Sequence, residues 1–286
     1  MNQFKHFAAI DWSGAKGSRH RGIALAMCDT GDDAPRLIDA PSGIWSRTAI
    51  LDWLRAHKSD RLLVGFDFSF APPFVQRGAY LPGEPTPHTA RPFWAYVDAA
   101  CSDPDLGAAS FLETRRGRHF YLSAADGPKA NFMHFRRCEA HFNASGGGKP
   151  STVYDAIGAA QVAKASFAGM RLLHHLGADV PVWPIDPVPD TGALVVEIYT
   201  TIAARAAGLR KGISKMRGPR ALDAALTHPA IGSRPHVPLD RYDDHATDAI
   251  LTAAWLRATA GDVSKWAPKA LNHEIAATEG WTFGVV

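Results

Sequence analysis

Residues 61–68, RLLVGFDF, form a continuous apolar run bounded by turn residues, and this run constrains the fold most. Such a run is typical of a central strand that is buried on both faces. Short apolar segments at 7–12, 23–28 and 37–40 precede it and predict an antiparallel meander. A further strand is predicted at 193–200, and helical spacing is found at 47–57, 153–176 and 244–260. The sequence therefore predicts an α/β fold with a mixed five-stranded sheet flanked by helices, and residues 180–185 allow one more short strand.

Residues 71–150 differ in character from the rest of the chain. They open with five prolines between positions 72 and 87, close with the triple glycine 146–148, and contain two stretches with helical spacing. Their position between the central strand and the long helix predicts a mostly helical insertion, or cap, on the sheet. The 286 residues fit a single domain, 1–286, that carries this insertion.

Composition excludes several classes of protein. Apolar residues make up 46% of the chain and charged residues 21%, a balance that excludes disordered, collagen-like and coiled-coil proteins. No apolar run approaches the roughly 18 residues of a membrane span, and the apolar N-terminal stretch is too short for a signal peptide. We therefore expect a cytoplasmic protein without membrane contact. The three cysteines are far apart, which argues against a disulfide framework or a zinc knuckle.

Positive charge is concentrated in two segments. Residues 115–137 hold six Lys or Arg against one acid, and residues 205–220 hold six more and no acid, although the net charge is only +3. This clustering indicates an anionic partner, and a solvated basic face is the alternative. Arginines lie beside aromatic residues in the first segment. That mixture suits phosphate contacts and base stacking on single-stranded or distorted nucleic acid.

Acidic residues interrupt three of the apolar strands. Asp11, Asp67 and Glu197 each lie near the end of a predicted central strand, where an unpaired buried carboxylate is costly. Each has a separate structural explanation: a turn cap at Asp11, the start of the proline-rich loop at Asp67, and an edge strand at Glu197. If the first and fourth strands are parallel neighbours about 4.8 Å apart, however, Asp11 and Asp67 nearly touch and need a cation between them.

Two further acids lie on the predicted C-terminal helix. Asp244 and Asp248 are four residues apart and therefore share a face. Helix capping explains an acid at 243 or 244, but not Asp248, which leads an apolar run inside the helix. Four or five converging carboxylates form a site for hard divalent ions, Mg²⁺ or Mn²⁺. Two such ions would activate a water molecule for phosphodiester cleavage, so we expect a metal-dependent nuclease.

The same residues resemble a known family. The segments IDWSGAKG, VGFDFSFAPP, VVEIYT, DDHATDAILTAAW and the terminal GWTFGV are similar to the bacterial domain-of-unknown-function family numbered 429. Its members are described as predicted nucleases of ribonuclease H-like fold. The resemblance spans nearly the whole chain and is loosest over 71–150. It implies a sheet with the first strand next to the fourth, and catalysis on nucleic acid.

The resemblance also implies metal ligands at Asp11, Asp67, Glu197 and Asp248. Resolvase-like members of the superfamily often space the two helix acids three residues apart, whereas Asp244 and Asp248 are four apart. Asp244 therefore competes for a catalytic role with His245, which lies three residues before Asp248 and offers a ligand or a base.

Substrate contacts are expected from the loop after Asp11 and from the basic segments. Ser13 and Lys16 belong to a small loop, SGAKG, whose backbone N–H groups would cradle a phosphate, and a simple tight turn is the alternative. The remaining candidates from the basic segments are Arg115, Arg118, Arg136, Arg137 and Lys211. We expect the arginines of the cap to face the acidic cleft, and salt bridges to acids such as Glu113 and Glu139 are the alternative.

Two other function classes stay open from the sequence. An actin- or sugar-kinase-like phosphotransferase also begins with a hairpin that holds an Asp before small residues. That fold needs a second strand meander, and the sequence offers one meander only. A non-catalytic nucleic-acid-binding protein of the same fold is the other class, and the retained acids argue against it. The kind of nucleic acid and the oligomeric state stay open as well.

Overall fold

The computed structural model describes residues 4–148, 150–157, 162–210 and 215–286. The strands of these residues are β1 (His6–Asp11), β2 (Ala24–Asp29), β3 (Arg36–Leu37), β4 (Leu62–Phe66), β5 (Val182–Trp183) and β6 (Leu194–Glu197). Their α-helices are α1 (Arg47–Ala56), α2 (Ala90–Ala99), α3 (Ala109–Glu113), α4 (Arg137–Ala144), α5 (Val162–Leu176), α6 (Thr200–Ala206), α7 (Pro219–Leu226), α8 (Asp244–Thr259), α9 (Val263–Trp266) and α10 (His273–Thr278). None of these helices combines the length and apolar character needed to cross a membrane.

The described strands form one mixed sheet in the order β3-β2-β1-β4-β6-β5. β2 is antiparallel to β1 and β3, whereas β1, β4, β6 and β5 run parallel to one another. The predicted α/β class, a mixed sheet flanked by helices, is therefore confirmed. Within the described residues the sheet has six strands rather than the predicted five, because Val182–Trp183 pairs with β6 at the edge of the sheet.

Side-chain alternation along the strands divides the core into two layers. Ile10 and Phe66 belong to the layer that contains α1, α2, α3 and α5, whereas Ala9, Leu63 and Val196 belong to the layer that contains α6, α7 and α8. We call these two sides of the sheet the α5 face and the α8 face. Every residue of β4 is buried, which agrees with the central position predicted for 61–68.

The sequence of α8 explains its fixed position. The carboxylate of Asp243, the N-cap residue, accepts a hydrogen bond from the backbone N–H of Ala246 over 2.9 Å. The helix is buried nearly all round after its first turn, because it packs on β1 and β2 and also against α6 and α7. The packing and the cap together fix where the side chains of its first two turns point.

The segment predicted as an insertion holds α2, α3, α4 and two 3₁₀ turns. α2 and α3 pack against α5, and Cys138 of α4 belongs to the core of the α8 face. The apolar residues of this segment thus share the two cores of the sheet.

The long helix α5 begins later than the sequence predicts. Residues 150–157 are not helical, although the Ala-rich pattern predicted a helix from residue 153. Thr152 donates a hydrogen bond to the carbonyl of His134 (2.5 Å), and Asp155 forms an ion pair with Lys129 (2.6 Å). These contacts with the insertion hold the segment in an irregular path along the cavity described next.

Candidate active site

One cavity of about 410 Å³ lies at the carboxyl ends of β1, β4 and β6. Its lining includes the four predicted metal ligands and the competing histidine: Asp11, Asp67, Glu197, Asp248 and His245. In α/β sheets, ligands bind outside the carboxyl ends of the parallel strands. The fold therefore brings acids that are far apart in the sequence to a place suited to a ligand.

Strand register places Asp11 beside Asp67. Ile10 pairs with Phe66, and the backbone N–H of Asp67 donates to the carbonyl of Ile10 over 3.2 Å. Asp11 and Asp67 each follow these paired residues, so alternation directs both side chains to the α8 face. Glu197 is itself the register partner of Phe66 and therefore points to the opposite, α5 face.

α8 adds two side chains to the α8 face of the cavity. Asp248 and His245 are three residues apart and lie on the same side of the helix. His245 Nδ1 lies 2.9 Å from Asp11 Oδ1. The side chains of Asp11 and Asp248 are only 12% and 14% exposed, so the three aspartates form a recessed cluster.

Burial and mutual repulsion raise the pKa values of this cluster. Burial raises the pKa of Asp67 far above its usual range, and the charges of Asp11 and Asp248 raise it further. Burial also raises the pKa of Asp11, although the hydrogen bond with His245 lowers it in part. The pKa of Asp248 rises to about 7, first through burial and then through Asp11. Neighbouring carboxylates with raised pKa values indicate a site that favours an added cation.

Lys215 supplies a cation that the sequence analysis did not assign to the site. Its Nζ lies 2.9 Å from Asp244 Oδ2 and 4.0 Å from Asp248 Oδ2, and the side chain lines the cavity. Burial lowers the pKa of Lys215, but the hydrogen bond to Asp244 and the charge of Asp248 outweigh it, so the pKa is raised. Asp244 pairs with this lysine and does not itself line the cavity.

Within the described ranges, no group of three His, Cys, Asp or Glu side chains is already arranged to hold a metal ion. Asp11 contacts His245 and Asp248 contacts Lys215, so cations of the chain itself neutralise part of the cluster. The donor set of Asp11, Asp67 and Asp248 nevertheless consists of carboxylate oxygens, the ligands that Mg²⁺ and Mn²⁺ prefer.

Glu197 is held by a buried arginine rather than by the aspartate cluster. Arg136 Nη2 and Nη1 donate to Glu197 Oε1 and Oε2 over 2.5 and 2.7 Å. The hydroxyl of Thr282 and the backbone N–H of Phe70 donate to the same carboxylate over 2.6 and 2.9 Å. Both oxygens of Glu197 are therefore engaged, and its charge is neutralised on the α5 face.

Arg136 lines the cavity, as predicted, but its guanidinium is engaged by partners within the fold, and its contact with substrate stays a prediction. The residue is 1% exposed, and its guanidinium also donates to Glu139 over 3.0 Å and to the carbonyl of Glu279 over 3.0 Å. Burial lowers the pKa of Arg136, but Glu197 and Glu139 outweigh it and raise the pKa. The salt-bridge alternative with Glu139 is the arrangement found.

The other predicted substrate contacts of the basic segments lie away from this cavity. Arg115 and Arg118 both form ion pairs with Glu84 of the same insertion, and neither lines the cavity. Arg137 lines a second cavity, between α4 and α10. The expectation that these cap arginines face the acidic cleft is therefore not met. Lys211 lies outside the described residues.

The loop after Asp11 lines the cavity and is held by a buried arginine. Arg47 donates to the carbonyls of Ser13 (3.0 Å) and Ala15 (2.6 Å). Gly14 packs so closely on α5 that a Cβ atom there would lie 2.2 Å from the backbone nitrogen of Ala165. Ser13 lines the cavity, whereas Lys16 is exposed and does not. The loop is thus fixed through its carbonyls and its glycine.

No family model, no curated protein and no solved structure matches this chain. Function is therefore inferred from the residues of the cavity.

Proposed function

We propose that this protein is a divalent-metal-dependent nuclease of ribonuclease H-like fold. One observation carries the proposal: Asp11, Asp67 and Asp248 line a single recessed cavity and have raised pKa values. The strand order also supports it, because the first strand is the neighbour of the fourth, as the resemblance implies.

Asp11, Asp67 and Asp248 are the residues that would hold Mg²⁺ or Mn²⁺. A divalent ion relieves the repulsion that raises their pKa values. When bound, such ions supply an activated water and stabilise the leaving oxygen in phosphodiester cleavage. Glu197 is assigned a different part, because its carboxylate anchors Arg136 and through it the N-terminal end of α4.

Two cationic side chains complete the site. The hydrogen bond with Asp11 raises the pKa of His245, which therefore holds a proton beside Asp11 more readily than a free histidine. Lys215 keeps its charge next to Asp248. A proton at His245 and an ammonium at Lys215 suit contacts with a phosphate group or transfer of a proton to a leaving oxygen.

A cleavage assay tests the proposal. Fluorescently labelled DNA and RNA, in single-stranded and duplex form, are incubated with wild-type protein in Mg²⁺, Mn²⁺ or EDTA. We expect cleavage that EDTA and the Asp67→Asn substitution abolish. The control Asp60→Asn alters an exposed acid just before β4 and should cleave like wild type.

Other outcomes separate the remaining function classes. Nucleic-acid binding without cleavage in either metal would show that the protein is a non-catalytic nucleic-acid-binding protein rather than a nuclease. Phosphoryl transfer from a nucleoside triphosphate, with negligible nucleic-acid affinity, would show that the protein is a phosphotransferase.

A further inference from the structure

The size of the cavity limits what reaches the recessed aspartates. The cavity volume of about 410 Å³ is much less than the space that a base pair and its two sugar–phosphate strands fill. The volume lies instead within the ~300–1,000 Å³ of small-molecule sites. An intact duplex therefore does not enter, and one nucleotide does.

The walls around the acids close the cavity on several sides. Trp12 to Ala15 and the start of α5 form one side, and α4 with Pro150 and Ser151 forms another. Asp11 and Asp248, at 12% and 14% exposure, lie inside these walls. A phosphate that reaches them must leave the regular backbone of a duplex.

The part of the lining outside the acidic cluster includes two aromatic rings. Phe142 and Tyr199 are half-buried, and their centroids are 5.7 Å apart in an edge-to-face pair. Arg205 lies 5.8 Å from the ring of Phe142. Gly147 also fixes this ring, because a Cβ atom there would lie 2.4 Å from it. Rings held in this way offer a surface for a nucleobase.

We propose that the cavity binds one unpaired nucleotide, with its base on Phe142 and Tyr199 and its phosphate toward Asp11, Asp67 and Asp248. This inference rests on the proposed nuclease function and assigns it a substrate class. The protein then acts on single strands and on unpaired ends, and not within an intact duplex. The known sequence tolerance of base–aromatic stacking predicts little dependence on base identity.

Binding and cleavage measured in parallel test this inference. Fluorescence anisotropy in EDTA compares one oligonucleotide sequence as a single strand, a blunt duplex and a tailed duplex. We expect tighter binding of the single strand and the tailed duplex, and cleavage of the unpaired segments in Mn²⁺. Phe142→Leu keeps apolar bulk but removes the ring, and it should weaken single-strand binding by about 5- to 140-fold. Trp53→Ala, an aromatic change on α1 outside the cavity, should not.

The ring-keeping variant Tyr199→Phe should bind like wild type, and the circular dichroism spectrum of Phe142→Leu separates loss of stacking from loss of folding. If the blunt duplex were bound and cleaved as well as the single strand, or if Phe142→Leu bound the single strand like wild type, the cavity would not be a site for one unpaired nucleotide. Either result would leave the proposed nuclease activity unaffected. Ring-dependent single-strand binding without cleavage in any metal would instead overturn the nuclease and retain the nucleotide site.

Discussion

The ion pair between Arg136 and Glu197 allows the sharpest prediction about stability. Arg136→Met keeps the bulk of the side chain but removes the charge and the donors that reach Glu197 and Glu139. Both carboxylates then stay buried without their cation. Removing one partner of such a buried pair costs about 3–5 kcal/mol. That loss is a large fraction of the ~5–15 kcal/mol by which a folded protein is typically stable.

Urea denaturation followed by circular dichroism measures this loss. With a slope of about 3 kcal/mol per molar urea, the midpoint should fall by about 1–1.7 M. Arg137→Met is the matched control, because Arg137 is next to Arg136 in the sequence but its side chain is exposed. Substitutions at exposed positions usually change the free energy of unfolding by less than about 0.5 kcal/mol.

A double-mutant cycle identifies the interaction. Glu197→Gln alone should also destabilise the protein, and the double variant should lose less than the sum of the two single losses. A loss below about 1 kcal/mol for Arg136→Met would refute the structural assignment. Arg136 would then return as a candidate for substrate contact.

Two further predictions concern the aspartate cluster and the loop beside it. The pKa of Asp248 is raised from 3.8 to about 7, so the unfolded chain releases this proton at lower pH than the folded protein does. The free energy of unfolding of wild type should therefore fall as pH rises from about 4 to about 7. In urea denaturation, Asp248→Asn should be more stable than wild type at pH 8 but not at pH 3.5. An equal difference at both pH values would contradict the raised pKa. Arg47→Met leaves the carbonyls of Ser13, Ala15 and Asp105 without their guanidinium donor and should cost about 3 kcal/mol in the same assay, whereas the exposed Arg19→Met should cost less than about 0.5 kcal/mol. Wild-type stability of Arg47→Met would show that the loop does not depend on this arginine.

The sequence was informative wherever a residue broke the pattern of its own element. Asp11 ends the buried strand β1, Asp67 directly follows β4, and Asp248 lies within the apolar helix α8, so local chemistry alone indicated that these acids needed a partner. Parallel pairing of the first and fourth strands then placed Asp11 beside Asp67.

The face of the sheet on which Glu197 lies could be predicted only from the strand register. Glu197 interrupts its strand in the same way, but pairing with Phe66 rather than with Asp67 turns its side chain to the other face. A shift of one residue in register decides this, and the apolar pattern of 193–200 does not fix the register to one residue.

Long-range ion pairs explain most of what the sequence did not predict. Arg136 reaches Glu197 across 61 positions, and Arg115 and Arg118 reach Glu84 across 31 and 34 positions. Clustering of basic residues indicates a positive surface, but it does not show which arginines are paired within the fold. Lys215 was one of six cations in its segment, and only the tertiary structure places it next to Asp248.

A crystal structure determined after growth in Mn²⁺, with anomalous diffraction data, would show directly whether the three aspartates bind a divalent ion. We expect an anomalous peak bound by Asp11, Asp67 and Asp248, with Asp248 released from Lys215. The same crystal form of Asp67→Asn should lose or weaken that peak. Full Mn²⁺ occupancy elsewhere in the crystal with no peak at these three aspartates, or a peak bound by Glu197 on the opposite face, would contradict a metal site at Asp11, Asp67 and Asp248.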